Sequence, residues 1–564
     1  MVRPMFGVES EFAIAGIHGK EPMRRDDLVN RFLSVARRRL AHLPDMCSGS
    51  GMFLENGARF YIDCGLHPEM TTPECTTPWE AARYIKAGER ILEMVTQEVQ
   101  AGAGASAEVM CYRCNVDYSG SGCTWGCHES YLHRATPSSL PEQLVPHLVT
   151  RVIYTGAGGF DPRTGQLEFR VAPRLMYIQN AVSGDSTHNR GIFHTKNEPL
   201  SGDGYNRLHI LCGESLCSER AIVLKIGATA LVTAMAEEGL KPGAELRLAQ
   251  PLEALHAVAS DIACQKKLRL AGGGEASALE IQRRLLQLAE RHRDALPPWA
   301  DAVCALWRRT LDELEGAPDS VATSLDWAIK ARLFHDRAER RGFSEQRLAF
   351  LNSTLRRLNS ALAAVGVNGS ETRLSAVIAP GGPIPDEVAR SASMLAAEGL
   401  TWNDLERFLN LRDEFYQIDT RFGQLGPRGI FGEMDRRGVL DHKVAAVDSI
   451  DEAMRQPPAV GRAKLRGELV RRLCGQGRAA CDWMSVHAPD GRRLDLSDPF
   501  ASAELWAEPA PPLDFSDVPP ELLAEGLAGD PSGLQQMLAA MRRRYGRPRP
   551  RAQGAPETTE SPNR

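Results

Sequence analysis

Met5-Phe6-Gly7-Val8-Glu9-Ser10-Glu11-Phe12-Ala13-Ile14 is the stretch on which the fold turns. It reads as a short strand over 5–14, and a strand places Glu9 and Glu11, two residues apart, on the same face. A second stretch, Ala58-Arg59-Phe60-Tyr61-Ile62-Asp63, alternates in the same way. There Arg59, Tyr61 and Asp63 share one face while Phe60 and Ile62 take the other.

Helical patterns fill the spaces between such strands. Leu28, Phe32, Val35, Ala36 and Leu40 form an apolar stripe that predicts a helix over 26–43. Residues 79–100 and 278–314 also read as helix, and 107–118 fit a strand leading into a Gly-rich turn. The segment 191–235 mixes extended polar residues with a helix from about Glu219. Leu348, Leu351, Leu355, Leu358, Leu362 and Val365 keep a 3-4 spacing that predicts an amphipathic helix. After a Gly/Pro-rich loop at 379–383, Thr401 reads as the start of another helix. Residues 507–520 look like a linker, and the Pro-rich, polar last twenty predict disorder. Helices alternating with polar-faced strands predict an α+β fold rather than a doubly wound sheet.

Bulk properties exclude several function classes. At 564 residues the chain has room for two to four domains. Lys and Arg number 67 against 72 Asp and Glu, a net charge of −5, which leaves no electrostatic footprint for nucleic acid. The basic runs Arg37-Arg38-Arg39 and Arg542-Arg543-Arg544 read as solvated helix faces. No stretch of apolar residues is long enough for a membrane span. The N-terminus lacks the apolar core of a signal peptide, with acids already at Glu9 and Glu11. A cytoplasmic protein is expected, with its thirteen cysteines reduced.

The chemistry-bearing residues gather near the N-terminus. No P-loop motif is present. Ala271-Gly272-Gly273-Gly274 stands before a helix and is either an anion-binding loop or a simple turn. Glu9, Glu11, Tyr61, Asp63, Glu69, Glu74, His128 and Glu129 make an oxygen-rich set. Several carboxylates on strand faces are costly unless cations neutralise them, and hard oxygen ligands select Mg²⁺ or Mn²⁺. A competing metal reading takes Cys111, Cys114, Cys123 and Cys127, spaced C-x2-C-x8-C-x3-C, as a zinc site. The short intervening loop makes their convergence awkward.

Taken together, these segments resemble the Pup ligase and Pup deamidase (depupylase) family of the glutamine-synthetase-like superfamily. Gly7-Val8-Glu9-Ser10-Glu11-Phe12 is similar to that family's opening. Asn56-Gly57-Ala58-Arg59-Phe60-Tyr61-Ile62-Asp63, His67-Pro68-Glu69 and Pro73-Glu74-Cys75 carry its most specific signature. Gly126-Cys127-His128-Glu129-Ser130-Tyr131-Leu132, Arg207-Leu208-His209, Leu224-Lys225-Ile226-Gly227, Leu325-Asp326-Trp327, Leu465-Arg466-Gly467-Glu468 and Asp482-Trp483 follow in family order.

The resemblance implies a glutamine-synthetase-like curved antiparallel sheet backed by helices and cradling ATP, with a smaller C-terminal domain. It implies an ATP- and Mg²⁺-dependent enzyme that phosphorylates the side-chain carboxylate of a Pup-like protein's terminal glutamate, so that a protein lysine can form an isopeptide bond. Matched by position, Glu9, Tyr61 and Glu69 become magnesium ligands, Arg59 and Thr72 contact the nucleotide, Trp483 packs near the adenine, and Asp63 is the catalytic base. Glu11, Glu129, Arg207 and His209 are further candidates. Departures fall on the substrate side. The family's N-T-R-D-E-P-H appears as His194-Thr195-Lys196-Asn197-Glu198-Pro199-Leu200, its tandem Arg as Asn206-Arg207, and its S-Q-R as Ala172-Pro173-Arg174. These leave room for an altered acceptor: a small molecule or nucleotide in a phosphotransferase or amide ligase, or a pupylated protein in a depupylase. The short connection ahead of Asn56 is that of the ligase branch. The expected division is a catalytic domain over 1–343, a helical insertion over 344–409, the remaining core and small C-terminal domain over 410–506, and a linker and tail over 507–564.

Overall fold

The computed structural model describes residues 3–507 apart from 203, 317 and 369–372, so the tail beyond Ala507 and Arg542–Arg544 lie outside the described residues. Nine strands form the central sheet: β1 (Phe6–Glu11), β2 (His42–Pro44), β3 (Met52–Leu54), β4 (Arg59–Ile62), β5 (Pro68–Thr71), β6 (Cys127–His133), β7 (Asn180–Ser183), β8 (Gly191–His194) and β9 (Asn206–Ile210). Their order across the sheet is β7-β8-β9-β6-β1-β5-β4-β3-β2. Every pairing is antiparallel except β7 with β8. The chain is α+β, as the alternation of polar-faced strands with helices predicts.

Period-two patterning accounts for the two faces of the sheet. Along β1, Phe6, Val8 and Ser10 are buried while Gly7, Glu9 and Glu11 are only partly so. The apolar face packs on the helices Pro78–Gly102, Leu140–Thr150 and Glu219–Glu237. The last of these is buried almost all round, which marks a helix inside the core rather than on its surface. No helix among the described residues is long and apolar enough to cross a membrane.

Several boundaries differ from the sequence reading. The first strand stops at Glu11, because buried Phe12 donates its N–H to the Pro68 carbonyl (2.9 Å) and the chain swings away. Ala13–His18 then pairs with Glu21–Pro22 and Ala107–Tyr112 in a separate three-stranded sheet. The helix predicted to 43 ends at Arg39, since Leu40 is extended and His42–Pro44 is drawn into β2. The glycines at 272–274 are the turn of a hairpin joining Lys267–Arg269 to Glu275–Ser277. The following helix is capped by Ser277 and Glu280, so its N-terminal amides are already engaged and the anion-site alternative fails.

Helices Glu345–Ala364, Pro385–Ala397 and Trp402–Phe422 share an apolar cluster with Phe160 and Phe334. Leu351, Leu355, Leu358 and Leu362 are buried as the 3-4 spacing predicts. Val365 is not: it caps the helix and is more than half exposed. Thr401 starts its helix with a capping box completed by Asp404. A last unit, helix Arg462–Leu473 with a four-stranded antiparallel sheet spanning Ala480–Ala507, packs its core on Leu43 and Phe53. It reaches the central sheet through a close contact at Gly57, which has a positive φ of 80° and where any Cβ would lie 2.9 Å from the Ala463 carbonyl oxygen.

Candidate active site

Strand register assembles the site. Glu9 stands opposite Thr71 on β5 and His128 on β6, and Glu11 stands opposite Glu69. On β4, Tyr61 faces Glu69 and Arg59 faces Thr71. On β9, His209 pairs with Ser130 of β6 and with His194 of β8. Each of these residues sits on the polar face, so six neighbouring strands place their functional groups in one patch.

Glu9 is the hub. It accepts a hydrogen bond from the Tyr61 hydroxyl, and its other oxygen lies 3.3 Å from His128 Nδ1. His128 Nε2 is 3.5 Å from Glu11 Oε1, and His209 Nδ1 is 3.2 Å from Ser130 Oγ. Potential ligand atoms of Glu9, His128 and His209 lie within 4.8 Å of one another, as do those of Glu11, Glu69 and His128. Burial opposes ionisation of Glu9, but the His128 and Tyr61 bonds hold its carboxyl below the usual range. Glu69 moves the other way, pushed up by burial and then by the Glu9 charge. Burial raises the Tyr61 hydroxyl too. Burial, with Arg207 and His128 alongside, takes His209 down to about 2 and keeps it neutral. Crowded carboxylates that cannot all ionise alone, beside the neutral His209 imidazole, are the donor set a divalent cation satisfies.

Arg59 lies across the Tyr61 ring, 3.9 Å from its centroid. Asp45 holds its Nε at 2.7 Å. Asp63 closes β4 in a tight loop: one oxygen accepts the His67 backbone N–H at 2.6 Å, and the other lies 3.2 Å from His67 Nδ1. Burial raises this carboxyl, yet the His67 bonds more than offset it, so Asp63 stays ionised. A cavity of about 140 Å³ runs from Glu9 past Thr72, Ser130 and Arg207 to Trp483. Thr72 Oγ1 accepts from Val8 N at 3.0 Å. The Arg207 Nε is buried without a protein partner, and Trp483 packs against Phe53 (5.0 Å, edge-on) and the Arg466 guanidinium (4.8 Å).

Two members of the oxygen-rich set stand apart from the carboxylate cluster, although Glu74 lines the cavity that Glu9 shares with Trp483. Glu129 is adjacent in sequence to His128 and therefore points through the opposite face. It is fully buried, paired with Arg151 (2.7 Å) and near Lys225 (3.6 Å), which outweigh burial and keep it ionised. That position holds helices to the sheet and removes Glu129 from the patch. Glu74 lies past the end of β5, clamped by Arg462 (2.6 Å) and by Arg466. The four cysteines of the zinc reading diverge. Cys127 contacts Ser10 (3.7 Å), and Cys123 contacts His67 Nε2 (3.4 Å). Sequence reasoning passed over Ser130 and Asp45. Ser130 shares the parity of His128 on β6 and was open to the same argument; Asp45, just past the end of β2 and bridged to Cys481, carried no signal.

A Pup-ligase protein family model matches residues 5–365 and 392–487. The chain is 30% identical over 519 residues to a Pup--protein ligase of Rhodococcus erythropolis, covering 89% of this chain and 98% of the relative. It is 30% identical over 517 residues to that of Mycobacteroides abscessus, with the same coverage. A solved complex between the prokaryotic ubiquitin-like protein Pup and its ligase PafA shares the fold at a TM-score of 0.67 and 22% identity, covering 99% of each chain. The Pup ligase PafA in complex with ADP matches at a TM-score of 0.62 and 23% identity, over 85% of this chain and 92% of that one. With the polar sheet face built from the motifs this family carries, and the match running nearly end to end, the chain belongs to the Pup-ligase family.

Proposed function

We propose that the chain is an ATP-dependent ligase that activates the terminal carboxylate of a Pup-like protein and joins it to a lysine. The observation that carries this reading is the continuity of one sheet face, from the Trp483 cavity through the Glu9–Glu69 cluster to Asp63. Relatives named as ligases of Pup, one of them solved with ADP, support the choice of substrate and nucleotide.

A carboxylate is a poor electrophile, and transfer of a phosphoryl group supplies the leaving group the amide bond requires. Glu9, Tyr61 and Glu69 would hold magnesium, with Glu11 and His128 beside them. The ion would supply positive charge to offset that of the phosphates. Arg59 and Arg207 supply fixed positive charge for anionic groups, Thr72 lines the nucleotide cavity, and Trp483 offers a flat apolar face for a base. Asp63, ionised and fixed through both oxygens by His67, is positioned to take the proton from an incoming lysine ammonium. We assign the polar face to a catalytic region over 1–343 and read 344–409 as a helical insertion beside it.

A second reading keeps the phosphoryl chemistry and changes the acceptor. It is favoured by Asn197, whose side chain bonds Asn206 (2.8 Å) and the Arg207 backbone N–H (2.7 Å), a neutral link where the family pattern has an acid. Mass spectrometry of products formed from Mg·ATP and Pup ending in Glu, with Asp63→Asn as control, separates the two. A lysine-linked adduct that disappears in the variant establishes the ligase. Unchanged Pup, with ATP turnover that depends on another acceptor, overturns it.

A further inference from the structure

Asp45 is buried where the central sheet meets the C-terminal unit, and three donors converge on it. Its Oδ2 lies 2.7 Å from Arg59 Nε and 2.5 Å from Arg59 Nη2. Its Oδ1 accepts the Cys47 backbone N–H at 2.8 Å. Both oxygens are therefore committed, one to the guanidinium and one to the main chain. The backbone here is fixed as well: Asp45 bridges to Cys481, and Met46 donates its N–H to the Cys481 carbonyl at 3.0 Å. Gly51 lies against the same carboxylate, since a Cβ there would be 2.6 Å from Asp45 Oδ2.

Arg59 is thus gripped along one edge. Nε and Nη2 face Asp45, the guanidinium lies over the Tyr61 ring, and among the described residues Nη1 has no protein partner. A planar fork held on one edge presents its remaining donors in a single direction. Tyr61 bonds Glu9, and Thr71, opposite Arg59 on β5, lines the cavity that reaches Trp483. The spare donors of Arg59 therefore belong to the end of the site where the carboxylates cluster and phosphate oxygens would lie. Cys481 is two residues from Trp483, so the segment that anchors Asp45 also carries the aromatic face offered to the base.

We propose that Asp45 is the positioning residue for Arg59. It holds the guanidinium so that Nη1 meets the phosphate end of the nucleotide, and it ties that placement to the segment bearing Trp483. The proposal rests on the reading of the cavity as an ATP site. Asparagine cannot take the place of Asp45. Its one oxygen can serve Arg59 or the Cys47 amide, and its NH2 group then confronts the other donor.

The test is calorimetric binding, to the full chain with Mn²⁺, of AMP and of an ATP analogue carrying an imido bridge between its β- and γ-phosphates. Asp45→Asn should weaken the analogue about tenfold, the loss of a charge-assisted contact, and leave AMP within about twofold. Arg59→Lys keeps the charge without the fork and should show the same loss. The double variant should lose no more than either single one, because Asp45 acts through Arg59. Gly51→Ala keeps both charges and displaces the carboxylate, so it too should weaken the analogue and spare AMP. If Asp45→Asn binds the analogue as the parent does while Arg59→Lys is impaired, the positioning role is overturned. If both variants bind it normally, the assignment of Arg59 to the nucleotide falls first. Additive losses in the double variant overturn the proposal, as does equal loss of AMP and analogue in both Asp45→Asn and Gly51→Ala, the mark of a merely structural carboxylate.

Discussion

Glu74 is the ionic latch between the central sheet and the C-terminal unit, and replacing it with Gln has an effect that can be worked out in advance. Two guanidiniums converge on it: Arg462, whose side chain is 5% exposed, and Arg466, which is fully buried. Burial pushes the Glu74 carboxyl up, but the Arg466 and Arg462 charges more than offset that and take it from 4.5 down to about 2. A displacement of that size is worth about 3 kcal/mol in favour of the folded state at neutral pH. Stranding a buried charge by deleting its partner typically costs 3–5 kcal/mol, so the two routes agree on roughly 3. Because the folded pKa is depressed, this stability is present above pH 4.5 and is lost as pH falls toward 2. About 1.4 kcal/mol of it survives near pH 3. Glu74→Gln should therefore lower native-state amide protection across helix Arg462–Leu473 by about two orders of magnitude near neutral pH. The deficit should shrink on acidification. Protection within about threefold of the parent, or a deficit that stays constant down to pH 3, would refute the latch.

Other outcomes follow from the same geometry. Glu129→Gln strands Arg151 in the core and should cost roughly 3–5 kcal/mol in urea unfolding while leaving divalent-cation affinity of the folded protein unchanged. Glu9→Gln should weaken Mn²⁺ binding, read by titration calorimetry, at least about tenfold, since it removes the charge and one oxygen of the carboxylate that Tyr61 and His128 orient. Trp483→Ala should raise the Kd for ADP about tenfold, by loss of an aromatic face, without altering Mn²⁺ affinity. A Trp483 variant that binds ADP normally would place the base elsewhere.

What was legible in the sequence is what period two can carry. Glu9 with Glu11, and Arg59 with Tyr61, were paired on faces before any register was known, and the strands place them so. The same rule was available for β6 and went unused: His128 and Glu129 are neighbours and cannot both face one patch, so Glu129 belonged to the helical side from the start. Glu74 escaped because it follows the end of its strand, where alternation no longer constrains direction. The partnership of Cys123 with His67, and the seat of Trp483 beside Arg466, join residues through loops and tertiary packing, for which no local spacing exists.

The alternation along β6 has an evolutionary corollary. Cys127, Glu129 and Tyr131 face the interior, and His128 and Ser130 face the polar patch. Losing one codon within this strand would exchange the two sets at a stroke, thrusting an ionised acid among histidines and imidazole against Arg151. Descendants can rewrite β6 letter by letter but cannot shorten or lengthen it. Freedom to change length must be exercised elsewhere, and residues 366–391, which the family model leaves unmatched, stand outside that constraint.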